Sequence, residues 1–171
     1  MELRDNTGKN FITLEPLGYQ FPDLPASADR WDRNWLNIRG HVTCIEGSWN
    51  FTDACMLTDD VPFLSAWLRG VAARQEPVGE RDPENPPHFT PELGFLEPNL
   101  SFDLERYDEV DAVIGVVLGH ASAPPWLDPT MDFEKRIEGY RVPLTMELSA
   151  LRRAAESWDS ACARFPTREG V

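Results

Sequence analysis

Cysteine is scarce in this chain, basic residues are few, and long apolar runs are missing. Three cysteines make an odd count with no secretion signal beside them, so reduced thiols are expected rather than a disulfide framework. Sixteen bases face 29 acids, a net charge of −13, which argues against a nucleic-acid binder, since that affinity rests on Lys and Arg against phosphate. No apolar stretch approaches the roughly 20 residues of a membrane helix. The opening Met-Glu-Leu-Arg-Asp-Asn has no signal-peptide core, so a cytoplasmic location is expected. Absent too are Cys-x-x-Cys, His-x-x-x-His and His-Glu-x-x-His, so no metal is expected. The lack of a Gly-x-Ser-x-Gly elbow, a Walker loop or a dinucleotide fingerprint leaves no cofactor expected either.

What is present is a globular composition. With 171 residues and 42% apolar content the chain can bury one core, and no repeat or boundary divides it, so a single domain over 1–171 is expected. Its organising stretch runs from Trp35 to Val71. A turn at Glu46-Gly47 sets Cys44 opposite Trp49 and Val42 opposite Phe51. Leu36, Ile38, Val42, Cys44, Trp49, Phe51 and Cys55 then share one face, because strand side chains alternate. A slip of one residue would split that set between faces. Cys55 would fall opposite Ile38, on the order of 20 Å from Cys44 and beyond disulfide reach. A helix follows directly: Phe63, Leu64, Trp67, Leu68 and Val71 lie on one face, Asp59 or Asp60 is the cap, and Pro62 suits the first turn.

Elsewhere, residues 10–15 read as a first strand, 18–22 as a bend or edge, and 23–34 as a loop. Residues 75–92 form a long acidic loop with five prolines. In 100–105, Leu100, Phe102 and Leu104 alternate with Ser101, Asp103 and Glu105, which predicts a half-buried strand with its acids in water. Residues 112–118 are apolar on both faces, the mark of a central strand. Residues 120–135 read as a loop. Residues 140–146 read as a last strand, and Pro143 suits an edge or the run-up to the helix. Leu144, Leu148, Leu151, Ala155, Trp158, Cys162 and Phe165 follow helical spacing, with Thr145 or Ser149 as cap and Pro166 as stop. The predicted class is α+β: a mainly antiparallel sheet with two amphipathic helices packed on it, about 59–73 and 146–165.

The chemistry-bearing residues are chiefly carboxylates. Residues 76–111 hold eleven acids and two bases, so nine of the thirteen net charges fall in 36 residues. A basic partner protein is therefore expected, on a surface drawn from Asp103, Glu105, Asp108, Glu109 and Asp111, with Glu80, Asp82 and Glu84 of the 75–92 loop. Abundance makes catalytic pairs such as Glu97/Asp103 or His120/Asp128 easy to draw and uninformative, and no enzyme is expected; a small carboxylate enzyme and an acidic adaptor are the alternatives. Cys44, Cys55 and Cys162 occupy core-compatible positions. At least four of the six tryptophans are expected in or against the core.

Several spaced motifs carry a resemblance. Tyr19-Gln20-Phe21-Pro22, Asn34-Trp35-Leu36-Asn37-Ile38, Leu57-Thr58 before a helix with Trp67-Leu68, Glu97-Pro98-Asn99-Leu100-Ser101-Phe102, Pro124-Pro125-Trp126 and Phe165-Pro166-Thr167-Arg168 together resemble the WapI family of bacterial immunity proteins, over about residues 11–168. One departure is Gly119-His120-Ala121-Ser122, where a glutamate often precedes the Pro-Pro-Trp loop. The resemblance implies a cytoplasmic protein that binds and neutralises the C-terminal domain of a secreted polymorphic toxin, commonly a nuclease.

Overall fold

The structure is a computed structural model, and it describes residues 1–84, 88–127 and 139–169. Its sheet divides in two. The first is antiparallel in the order β1 (Glu2–Arg4), β2 (Phe11–Tyr19), β3 (Trp35–Cys44), β4 (Gly47–Leu57). The second is antiparallel too, in the order β10 (Tyr140–Glu147), β9 (Asp111–Leu118), β8 (Leu100–Tyr107), β7 (Glu92–Gly94). Both sheets give one face to a common apolar core, so the mainly antiparallel α+β class holds although the longer strands form two four-stranded sheets rather than one.

The central hairpin keeps its predicted face and shifts its turn. Cys44 pairs with Gly47 and Val42 with Trp49, so Ile45-Glu46 is the two-residue turn, not Glu46-Gly47. That is a displacement of two positions, which preserves the parity of side chains. Accordingly Leu36, Ile38, Val42, Cys44, Trp49, Phe51 and Cys55 are all buried. Gly47 serves a packing role instead: a Cβ there would come within 3.0 Å of the Trp126 ring. The same displacement puts Asp53, not Cys55, opposite Ile38, and a bulge beyond it sets Leu36 opposite Met56.

Strand β2 extends through Tyr19 with a bulge at Leu17, so the expected bend is the end of a strand. Within the expected 23–34 loop lies a short helix, α1 (Arg30–Asn34), whose cap Asp29 accepts from the Trp31 amide at 2.8 Å. Helix α2 (Val61–Ala72) starts at Asp60 with Pro62 in its first turn. Its buried face is Leu64, Leu68 and Val71, while Phe63, one step round, is 60% exposed. Helix α3 (Leu148–Cys162) begins later than expected, because Leu144 belongs to β10. Glu147 stands at the cap, its carboxylate accepting from the Ser149 hydroxyl at 3.1 Å and from no backbone amide of the helix, so neither Thr145 nor Ser149 is the cap. The two long helices pack on each other, and Trp158, fully buried, donates from Nε1 to the Val61 carbonyl at 3.3 Å.

Pro143 does lie on an edge strand. The loop after β1 closes that edge: the Asn6 amide donates to the Thr145 carbonyl at 2.8 Å, the Thr145 amide to Asp5 Oδ2 at 3.0 Å, and Asn10 Nδ2 to the Pro143 carbonyl at 2.7 Å. Asp5 thereby ties the two sheets together.

Among the tryptophans, Trp49 and Trp158 are in the core, Trp67 packs against it and Trp35 is half-buried. Trp31 and Trp126 are exposed, although Trp126 rests on Trp49. Between α2 and β7 the chain forms a small ribbon, β5 (Glu80–Arg81) with β6 (Phe89–Thr90). Pro86, Pro87, Asp128 and the remainder of the 120–135 loop lie outside the described residues.

Candidate functional site

The ribbon decides the fate of the predicted acids. It lies along β8, where the Gly79 amide donates to the Leu104 carbonyl at 2.7 Å. Phe89 of the ribbon is buried, its ring 4.7 Å from the Arg141 guanidinium. Under this cover sits Asp103, 0% exposed, not in water as alternation predicted. Its carboxylate accepts two bonds from Arg141, at 2.8 Å from Nε and 2.7 Å from Nη2. Arg141 stands on β10 and reaches Asp103 on β8 by crossing Gly115 of β9. A Cβ on Gly115 would meet Arg141 Nε at 2.3 Å and both Asp103 oxygens at 2.6 Å. The alternating pattern was read correctly, but it identifies only which side chains face away from the core. What covers that outer face comes from a segment ten and more residues upstream.

Asp103 is therefore one half of a buried ion pair. Glu105 is half-buried and held between two bases, 3.3 Å from Arg141 and 2.8 Å from Arg106. Asp108 and Glu109 are exposed on the β8–β9 turn, whose carbonyls accept from Arg74. Asp108 lies 3.4 Å from Arg106, and Asp111 is half-buried. Glu80 and Glu84 are exposed and Asp82 is half-buried on the ribbon. Glu92 and Glu97, also exposed, belong to the same segment. The outward acids thus fall into a ribbon group and a turn group, with Asp103 withdrawn from both.

Possible catalytic arrangements are equally constrained. On the outer face of the first sheet, Ser48 Oγ donates to Thr43 Oγ1 at 3.0 Å. Thr43 Oγ1 lies 3.3 Å from His41 Nε2, and His41 Nδ1 lies 2.8 Å from Asn50 Oδ1. A hydroxyl, an imidazole and an amide in this order are the parts of a nucleophile relay. Here they lie on a flat ladder. His41 and Thr43 belong to a strand paired on both sides, so its amides are engaged and supply no oxyanion donors. The three thiols are buried, and desolvation pushes those of Cys55 and Cys162 up to about 12, which suits inert packing groups. Among the described residues no group of three or more His, Cys, Asp or Glu converges as metal ligands would, and no helix is long and apolar enough to cross a membrane.

Two features escaped the sequence reading. One is a clasp around the tail after α3. Asn34, 3% exposed, accepts from the Arg168 amide at 2.7 Å and from Thr58 Oγ1 at 3.2 Å. Its Nδ2 donates to the Arg168 carbonyl at 3.1 Å and the Arg30 carbonyl at 2.9 Å. Arg168 stacks on Tyr19 at 3.7 Å and donates to the carbonyls of Phe21 and Pro22. Thr167 donates to Asp59 at 3.0 Å, and Tyr19 donates to the Pro166 carbonyl. Motifs scattered across the sequence meet here, so their shared task is architectural. The second feature is an aromatic group beside the β3–β4 turn. Trp126 and Tyr140 each lie edge-on to Trp49, with ring centres 5.1 and 5.8 Å away. Ile45, in the turn itself, is 81% exposed. An isoleucine in a two-residue turn was the available signal, and assigning the turn one position late concealed it.

A search of curated proteins finds no match to this chain. A family model, that of the WapI-like immunity proteins, matches residues 3–166. Glu97-Pro98-Asn99 and Pro124-Pro125-Trp126 lie within that span, as do Tyr19, Asn34, Thr58 and Asp59 of the clasp, while Thr167 and Arg168 fall just beyond it; Asn99 donates to Asp53 at 2.5 Å, and Trp126 covers Gly47. The chain belongs to the WapI-like immunity protein family.

Proposed function

We propose that this chain is a cytoplasmic immunity protein that binds and neutralises the basic C-terminal domain of a secreted polymorphic toxin, a nuclease. The observation that carries the reading is the pairing of family membership with the placement of charge: Glu80, Glu84, Glu92, Glu97, Asp108 and Glu109 all face solvent within one segment. Carboxylates so placed compete with nucleic acid for the cationic surface of such an enzyme. Occlusion needs no catalytic group on the inhibitor, and the long-range field speeds encounter. Asp103 is left out of the interface and holds the surface in shape.

The test is a titration of the protein with the C-terminal domain encoded by the gene upstream, at two salt concentrations. Tight binding, with loss of the domain's activity, is expected. Reversing Glu80, Glu84, Glu92 and Glu109 to Lys should slow association about 10–100-fold at low salt and less at high salt. Salt-independent association, unchanged in that variant, would refute the acidic docking face while leaving the immunity role. No binding by the wild-type chain would refute the immunity role itself.

A further inference from the structure

The turn between β3 and β4 breaks a local rule. Two-residue hairpin turns favour Asn, Asp and Gly, whose short side chains suit the backbone and the solvent. Here Ile45 and Glu46 occupy those places, and Ile45 has the greatest exposure, 81%, among the described large apolar residues. The core gains nothing from that side chain. Two residues on, Gly47 lies against the indole of Trp126, which is 43% exposed. The ring is fixed from beneath. It meets Trp49 edge-on at 83°, and Tyr140 completes the triangle at 6.4 Å from Trp126. Trp49 is itself pinned, its Nε1 donating to the Ser122 carbonyl at 2.9 Å. The Tyr140 hydroxyl lies 3.6 Å from the Cys44 thiol, and these two groups, Tyr140 first, hold the Glu46 carboxyl below its usual pKa.

We propose that Ile45, Glu46 and Trp126 form the anchoring seat for the toxin domain, taking a basic side chain of that domain together with the apolar surface beside it. This rests on the immunity reading above and goes beyond it, because the seat is separate from the acidic segment. Charge complementarity selects the occupant. An ionised carboxylate next to an open indole is a place for Arg or Lys, which gains from both the ion pair and the ring face. Immobile aromatics make efficient anchors, since little side-chain freedom remains to be lost on binding. The two surfaces then divide the work. The acids of the ribbon and turn govern how fast the partners meet. The seat governs how slowly they part.

The experiment measures association and dissociation rates of the full chain with the upstream-encoded C-terminal domain. Its variants are Ile45→Ser, Glu46→Gln and Trp126→Ala, with light scattering on each protein alone. Ile45→Ser is the decisive variant, since so exposed a side chain can be removed without disturbing the core. Dissociation about 30–100-fold faster, with association and its salt dependence unchanged, is expected for Ile45→Ser and Trp126→Ala. Glu46→Gln should show a smaller acceleration. If the wild-type chain binds tightly and Ile45→Ser dissociates at the wild-type rate, the seat is refuted and the immunity role stands. The same holds if Ile45→Ser abolishes only self-association, because the occupant is then a second copy of this chain. Failure of the wild-type chain to bind would overturn both readings together.

Discussion

Replacing Gly115 by alanine tests the buried ion pair more cleanly than removing either charge. The substitution adds one methyl group and leaves every hydrogen-bonding atom in place. That methyl would stand 2.3 Å from Arg141 Nε and 2.6 Å from both Asp103 oxygens, so the pair must separate or the strands must part. Asp103 is 0% exposed and the Arg141 side chain 6%, so separated charges have no water to turn to. Breaking a buried pair costs about 3–5 kcal/mol. The β-strand gains back about 0.5–1 kcal/mol from losing a glycine. The expected net loss is about 3 kcal/mol. In urea, with a slope of about 2–3 kcal/mol per molar, the midpoint should fall by about 1–1.5 M. Tryptophan fluorescence reads that transition directly. A second measurement isolates the cause: in an Asp103→Leu, Arg141→Met background the extra methyl has no pair to divide, and its cost should drop below about 1 kcal/mol. An unchanged midpoint for Gly115→Ala, or an equal cost in both backgrounds, would refute the account.

Other outcomes follow from the same geometry. Asp103→Lys would place a second cation against Arg141 and should prevent folding, seen as loss of the near-ultraviolet circular dichroism, whereas Glu109→Lys on the exposed turn should leave that signal intact. Burial alone would raise the Asp5 pKa, but bonds from the Thr7 hydroxyl, the Thr145 amide and the Thr7 amide outweigh it and hold the carboxyl below its usual range. Its stabilisation is therefore present above the unfolded value of about 3.9 and is lost as pH falls through the lower folded value. Asp5→Ala should cost about 2 kcal/mol in urea titrations at pH 7, and the difference should vanish in strong acid. Asn34→Ala removes the four bonds that the Asn34 side chain makes in the clasp and should cost about 2–4 kcal/mol, with faster amide exchange at residues 165–169 as its signature. A thiol reagent at pH 8 should find no reactive cysteine in the native protein and three after denaturation, because all three are buried.

The legible part of the fold was the part written in local periodicity. Leu64, Leu68 and Val71 repeat at helical spacing, so α2 could be found without knowing what it packs on. The hairpin face survived an error in its turn because a displacement of two positions leaves each side chain on its side. Strand β1 and helix α1 were invisible because three and five residues are too few to show a period. The site was harder to read. Concentration of acid along the sequence is visible in composition, but the burial of Asp103 depends on Phe89 and Arg141, on separate elements. No alternation along β8 could report that. The aromatic group beside the β3–β4 turn was hidden for a related reason, since Trp126 comes to Gly47 from the loop after β9.

The clasp also sets an order of events during synthesis. Asn34 and Arg168 are 134 residues apart in the chain. At about 5–20 residues per second the tail emerges roughly 7–30 s after its slot. Once Thr58 has been added, the slot of Tyr19, Asn34 and Thr58 is complete in sequence, and it stays vacant until the tail arrives. The nascent chain thus has its first hairpin and α2 available long before the segment that fastens them to α3. Closure therefore waits for the segment that follows α3.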